Sequence, residues 1–398
     1  MLSVKRVRIR IRMRTLEESS SQESSAHIVA SNDDLLSELL LRLPIKSLLK
    51  FKSVSKHWLS LITDPHFSRR KNLKPNPVSA LFLHRPSPVT NPLFSFVPLD
   101  PLQTSAPFTS LTFVDHPRGI EILQSCNGLF CCSSVDYNDS ERKYYIYNPT
   151  TKQFTTLPPL CGRSVRRVLG VNLAFDPSKS HTYKVVWVQR CKSSYDHCQI
   201  QIYSSETGPW RVSGVPFAAP ISVDFPSGVY WNGAIHWISP REASLYFDLN
   251  EELVREMPMP PVPDDSNERG IRYFGESCGH LHLVEIYESS TTQFNVYEME
   301  RDHSGWFVKF RVDLNGVALA FPGIIEGYHE EYDYMYSFSV LCVVRREKEE
   351  DSFLALHIPG KVIGYNFSSK SYQTSDTDCP LAFGWSYAFQ YIESLSLV

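Results

Sequence analysis

Tyr145-Ile146-Tyr147-Asn148-Pro149-Thr150-Thr151-Lys152-Gln153-Phe154 reads as an aromatic strand, a polar bend and the start of a second strand. The same pattern recurs in Ile202 to Trp210, Tyr246 to Val254 and Tyr365 to Tyr372. In all four, the last large residue before the bend and the first large apolar residue after it stand seven apart: Tyr147/Phe154, Tyr203/Trp210, Phe247/Val254 and Tyr365/Tyr372. A fifth copy, Tyr297/Trp306, has two extra residues. Each predicts a hairpin whose turn residues make the bend while the flanking large side chains meet across the pair.

Each copy follows another two-stranded run: Leu123 to Val135 around Asn127-Gly128, Leu169 to Val188 around Asp176-Pro177, Val229 to Ile238 around Asn232-Gly233, Glu276 to Ile286 around Gly279, and Ile324 to Val344. Two hairpins make a four-stranded sheet, and units repeating at roughly 45 to 70 residues match β-propeller blades. Five blades follow from this pattern. Strands between Val78 and Phe113, joined by others between Leu381 and Leu397, supply a sixth blade that closes the ring and removes its open edges. The competing architecture is a β-sandwich of irregular hairpins. Trp210, Trp231, Trp237 and Trp306 are expected to pack between blades.

Upstream the period changes. Leucines at 35, 36, 39, 40 and 43 have helical spacing; Asn32 caps the start, Asp33 and Asp34 suit the helix dipole, and Pro44 ends the pattern. A second helix is predicted from Ile45 to Phe51 and a third from about Ser53 to Ile62, stopped by Asp64-Pro65. Prolines at 75, 77, 86, 88, 92, 98, 101 and 107 then mark a boundary with a hinge-like connection. The expected organisation is a disordered tail over 1–30, helices over 31–71, a Pro-rich connection with the first strands over 72–118, and the all-β domain over 119–398.

Ser31 to Ile62 closely resembles an F-box, above all in Arg42-Leu43-Pro44, Lys46-Ser47-Leu48-Leu49 and Val54-Ser55-Lys56-His57-Trp58-Leu59-Ser60-Leu61-Ile62. The usual leading Leu-Pro is replaced by Ser31-Asn32. Ser125 to Cys132, Tyr147 to Lys152, Leu173 to Pro177 and Gly228 to Trp237 resemble the F-box-associated domain common in plants, without kelch-type double glycines. The resemblance implies a non-catalytic receptor of an SCF-type cullin–RING ubiquitin ligase, and the cysteine usage suits a reduced, intracellular protein of the cytoplasm or nucleus. Its F-box would bind the S-phase-kinase-associated adaptor, and its β-domain an unidentified protein target. By position Leu35, Leu39, Leu43, Pro44, Leu48, Val54 and Trp58 would be adaptor contacts or their supports. The alternative is an F-box-like scaffold or lectin-like module that does not engage the ligase. The residues agree with the first reading, because three short helices are too small to bury so many leucines without a partner.

Composition narrows the rest. The 398 residues carry a net charge of −3, with 42% hydrophobic and 21% charged residues, so neither a membrane span nor nucleic-acid binding is expected. Nine cysteines without a Cys-x-x-Cys pair argue against disulfides and structural zinc, and Cys131 and Cys132 are read as core and surface residues. Lys5, Arg6, Arg8, Arg10, Arg12 and Arg14 leave three readings open: an import or anion-binding patch, a targeting fragment, or a plain tail. His280 and His282 share a strand face but lack a third metal ligand at recognisable spacing. Asp264/Asp265 and Glu330/Glu331 read as solvated turns, and Arg345 to Asp351 as a solvated hairpin tip. Arg163, Arg166 and Arg167 are candidates for a target-binding rim. No cofactor is expected.

Overall fold

Asn148, Asp248 and Asn366 make the same turn, and that turn explains the seven-residue repeat. The side-chain oxygen of each accepts the backbone N–H groups two and three residues on, at 2.8–3.2 Å. Four residues on, Lys152, Glu252 and Lys370 take positive φ (59°, 57° and 54°). Their N–H groups bond back to the carbonyl that opened the turn. The register is thereby fixed, with Tyr147 opposite Phe154, Phe247 opposite Val254 and Tyr365 opposite Tyr372. The second copy carries Ser204 at this place and a bulge between Gly208 and Arg211, yet the Tyr203 and Trp210 rings still meet at 5.6 Å. The fifth copy differs from expectation: Tyr297 faces Val308 and Trp306 faces Met299. The strand there runs on to Met299, and the turn, with His303 at φ 61°, lies beyond it.

The computed structural model describes residues 32–73, 76–85, 91–101, 103, 105–136, 141–159, 168–191, 196–264, 269–288, 290–326, 335–375 and 388–398. The basic run and the Ser/Glu stretch, expected to be disordered, lie outside them. Five four-stranded meanders follow one another. Blade 1 is Ile120–Cys126, Leu129–Ser134, Tyr144–Asn148 and Gln153–Thr156; blade 2 is Val168–Ala174, Lys184–Arg190, His197–Ser204 and Gly208–Ala218. Blade 3 is Val229–Trp231, Ala234–Trp237, Ser244–Asp248 and Leu253–Met257; blade 4 is Ile271–Ser277, His280–Glu285, Gln293–Met299 and Trp306–Asp313. Blade 5 is Ser339–Val344, Phe353–Ile358, Lys361–Asn366 and Tyr372–Thr374. In blade 6, Ala80–Arg85 pairs with Leu93–Pro98 on one side and with Ala388–Tyr391 on the other, so the two ends of the β-domain close a six-bladed propeller.

The first hairpin of blade 5 is not Ile324 to Val344. Ile325–Glu326 and Met335–Tyr336 form a separate ribbon, and Val344 pairs with Phe353 across the charged 345–352 connection. That connection is only partly solvated. The Arg345 guanidinium lies buried, 3.6 Å from Glu298 and over the Phe310 ring, and Arg346 donates to the Leu99 carbonyl. Cys131 and Cys132 do point to opposite faces but are both fully buried, because the second strand of a blade is covered by neighbours on each side.

Trp210, Trp231 and Trp237 are buried and Trp306 is half-buried. Their indole N–H groups tie successive units: Trp210 to the Pro158 carbonyl, Trp306 to that of Pro258, Trp231 to that of Gly279, and Trp237 to Asn172 Oδ1, at 2.7–2.8 Å.

Among the described residues the helical domain has four helices where three were expected: α1 Asp33–Leu41, α2 Ile45–Phe51, α3 Lys56–Thr63 and α4 Pro65–Lys71. Asp64 ends α3 and starts α4, its Oδ1 accepting the His66 N–H at 2.6 Å with Pro65 in the first turn. The described part of the connection that follows is packed. Asn72 and Val78 are buried, and strand pairing begins at Ala80.

Candidate functional site

Helix α1 begins where Asn32 Oδ1 accepts the N–H groups of Asp34 and Leu35, both at 3.0 Å. At its other end Lys71 Nζ donates to the carbonyls of Leu41 and Leu43 at 2.9 and 2.8 Å, closing the break that Pro44 imposes. Ser55 Oγ caps α3 through the Trp58 N–H. Leu36, Leu40, Ile45, Leu48, Ile62 and Phe67 fill the core, with Phe51 and Trp58 edge-to-face at 5.3 Å beside it.

The expected adaptor residues divide into two groups. Leu35 (46% exposed), Leu39 (49%) and Val54 (58%) lie on the surface, as does Pro44. Leu43 and Trp58 are half-buried against the core, and Leu48 is wholly inside it, so Leu48 supports the surface and contributes none of it. Leu59, 42% exposed, belongs with the outward group. It lies on α3, whereas Val54 lies in the turn between α2 and α3.

The inner strands of the blades surround a channel. A cavity of about 380 Å³ within it is lined by Gln124, Cys126, Tyr230, Tyr273, Glu276 and Gln390, among others. Gln124 joins three blades, donating to the Gly228 carbonyl and accepting from the Leu173 N–H, and Gln390 donates to the Glu276 carbonyl at 2.9 Å. A second cavity of about 300 Å³ opens beside His84, Glu121, Arg142, Tyr144, Leu169 and Phe389. Arg163, Arg166 and Arg167 lie outside the described residues, as do Asp265, Glu330 and Glu331, while Asp264 is exposed.

The channel carboxylates are engaged locally. Asp176 accepts from the Ser178 N–H and Oγ at 3.1 and 2.6 Å and faces Lys179; Glu276 accepts from the Gly279 N–H. Glu276 lines the channel partly buried, and this burial pushes its carboxyl from the ordinary 4.5 up to about 7, with a smaller push from Asp176. The folded protein therefore holds this proton over a range where the unfolded chain has lost it, and that contribution disappears as pH rises through 7. Glu276→Gln, which keeps the acceptor oxygen, is expected to raise the melting temperature at pH 8 and leave it unchanged at pH 4.5. Thermal scans at both pH values check this.

His282 is fully buried and Glu298 stands opposite it on the next strand, with His280 Nδ1 2.7 Å from Glu298 Oε1. Arg345 adds a positive charge, and among the described residues no group of three side chains is placed to hold a metal ion. Glu298 sits well below the usual carboxylate range because the two histidines outweigh its burial. No described helix is long and apolar enough to cross a membrane.

Comparison with known proteins agrees with this architecture. Residues 32–70 match the F-box domain family, and residues 104–378 match the family described as F-box protein At3g26010-like, beta-propeller. F-box protein At5g07610 of Arabidopsis thaliana is 39% identical over 94% of each chain. F-box protein At5g49610 of the same plant is 29% identical over 80% of this chain and 89% of its own. Among solved structures, TolB from Acinetobacter baumannii aligns over 76% of this chain and 64% of its own, at 11% identity and a TM-score of 0.40. With an F-box of four short helices docked on a six-bladed ring, and relatives that share both parts, this chain belongs to the plant F-box proteins that carry a β-propeller.

Proposed function

We propose that this protein is the target-recognition subunit of an SCF-type cullin–RING ubiquitin ligase. The F-box binds the S-phase-kinase-associated adaptor, which links it to cullin and RING subunits, and the propeller holds a target protein. The carrying observation is that Leu35, Leu39, Val54 and Leu59 take no part in the core of the helices, leaving four large apolar side chains outward on about forty residues. The protein itself makes no bond; it raises the target's local concentration beside the ubiquitin-charged enzyme. The engaged state of Asp176 and Glu276 supports this non-catalytic reading. Free cysteines at all seven described positions suit the reducing cytoplasm or nucleus.

The double variant Leu35→Asp/Leu39→Asp tests the adaptor face. Each leucine contributes roughly 1.5–3 kcal/mol when buried at an interface, and each carboxylate would be desolvated unpaired. Co-purification with the adaptor should drop more than a hundredfold, with the thermal transition within a degree or two of wild type. A wild-type protein that fails to retain the adaptor at all would reject the ligase reading and leave the non-engaging scaffold.

A further inference from the structure

The core of the F-box contains a side chain from the far end of the chain. Leu395, 4% exposed, packs in one cluster with Leu36, Leu40, Ile45, Leu48, Ile62 and Phe67. It belongs to residues 392–398, which leave the ring-closing strand Ala388–Tyr391 and cross blade 1. Asn148 Nδ2 donates to the carbonyls of Ser394 and Ser396 at 3.1 and 2.7 Å, and the Ser394 N–H donates to Thr150 Oγ1 at 3.2 Å. Gly128 admits this crossing: a Cβ there would stand 2.5 Å from the Ser394 side chain. On the other side Lys46 Nζ lies 3.6 Å from Glu393 and 2.6 Å from Gln103, and Asn76 donates to the Glu393 carbonyl. Blade 1 and the closed ring thus set where Leu395 points, and Leu395 fills the helices.

We propose that residues 392–398 are a strap through which closure of the propeller completes the F-box. A helical unit of about forty residues is marginal by itself, and removing one of seven core side chains leaves it below what folding needs. A chain whose blade 6 has not assembled would therefore present no ordered adaptor face. Coupling of this kind is reciprocal: tightening the helices must also tighten the ring-closing strand. The adaptor part of the test rests on the ligase reading, and the exchange part does not.

Backbone hydrogen exchange of the full-length protein reads the coupling directly. Leu395→Asp should speed exchange of α1–α4 at least a hundredfold and Leu395→Ala roughly tenfold or more, with the strands of blades 2–4 unchanged. Leu397→Asp, at a position 47% exposed in the same segment, should match wild type. In the reverse direction, Leu40→Ala should speed exchange in Ala388–Tyr391. Wild-type exchange of the helices in Leu395→Asp overturns the proposal; so does equal acceleration of helices and blades 2–4 in Leu395→Ala, which would make the chain one cooperative unit. If wild type binds the adaptor, Leu395→Asp should lose it. If wild type does not, the ligase reading fails while the exchange result still decides the strap.

Discussion

Leu48→Asp is expected to unfold helices α1–α4, and loss of adaptor binding would follow from that collapse. Leu48 is completely buried at the centre of the helical core. Truncating such a leucine costs about 2–5 kcal/mol, and an unpaired carboxylate among Leu36, Leu40, Ile62 and Leu395 adds several more. A forty-residue unit does not hold that much stability. Limited proteolysis should cut within 33–71 in this variant but not in Leu35→Asp/Leu39→Asp, and both should lose the adaptor. The propeller loses only the partner of Leu395, so its melting temperature should move by a few degrees. A Leu48→Asp protein with protease-resistant helices would show that the core described here does not hold the domain together.

That contrast marks where sequence reasoning stops. Leucines at 35, 36, 39, 40 and 43 announce a helix, but they cover more than one face. The face turned inward is decided by Ile62, Phe67 and Leu395, and the last of these lies more than 350 residues away. The hairpins were readable because their cause is local: an Asn or Asp accepts from N–H groups two and three residues on, and no distant residue is needed. Where strand length decides, as at Tyr297 and Trp306, spacing alone misplaced the partner. Asp64-Pro65 was read as a stop, although the same pair is the cap and first residue of α4. Glu298 could not be assigned to His280 and His282, because the register of two strands joined by a long connection is not written in either strand.

Trp237→Ala should cost the propeller more than any surface change, because Trp237 works on both sides of the gap between blades 2 and 3. Its ring is fully buried and meets Phe225 edge-to-face at 5.1 Å. Its N–H donates to Asn172 Oδ1 at 2.7 Å, and Asn172 in turn donates to the Phe225 carbonyl at 3.0 Å. Gly228 lies so close that a Cβ there would come within 2.6 Å of the indole nitrogen. Deleting the ring should remove about 3–5 kcal/mol, and the buried Asn172 oxygen left without a donor roughly 1–3 more. At about 2 °C per kcal/mol for a domain of this size, the melting temperature should fall by about 10 °C. Trp237→Phe keeps most of the packing and loses only the donor, so a drop of about 2–5 °C isolates the hydrogen bond. The F-box core shares no contact with this site, and effects at separate sites add, so both variants should keep wild-type adaptor binding below their transitions. Equal drops for the two variants would place the energy in the hydrogen bond alone. A Trp237→Ala protein melting within a degree of wild type would mean that blades 2 and 3 are held together elsewhere.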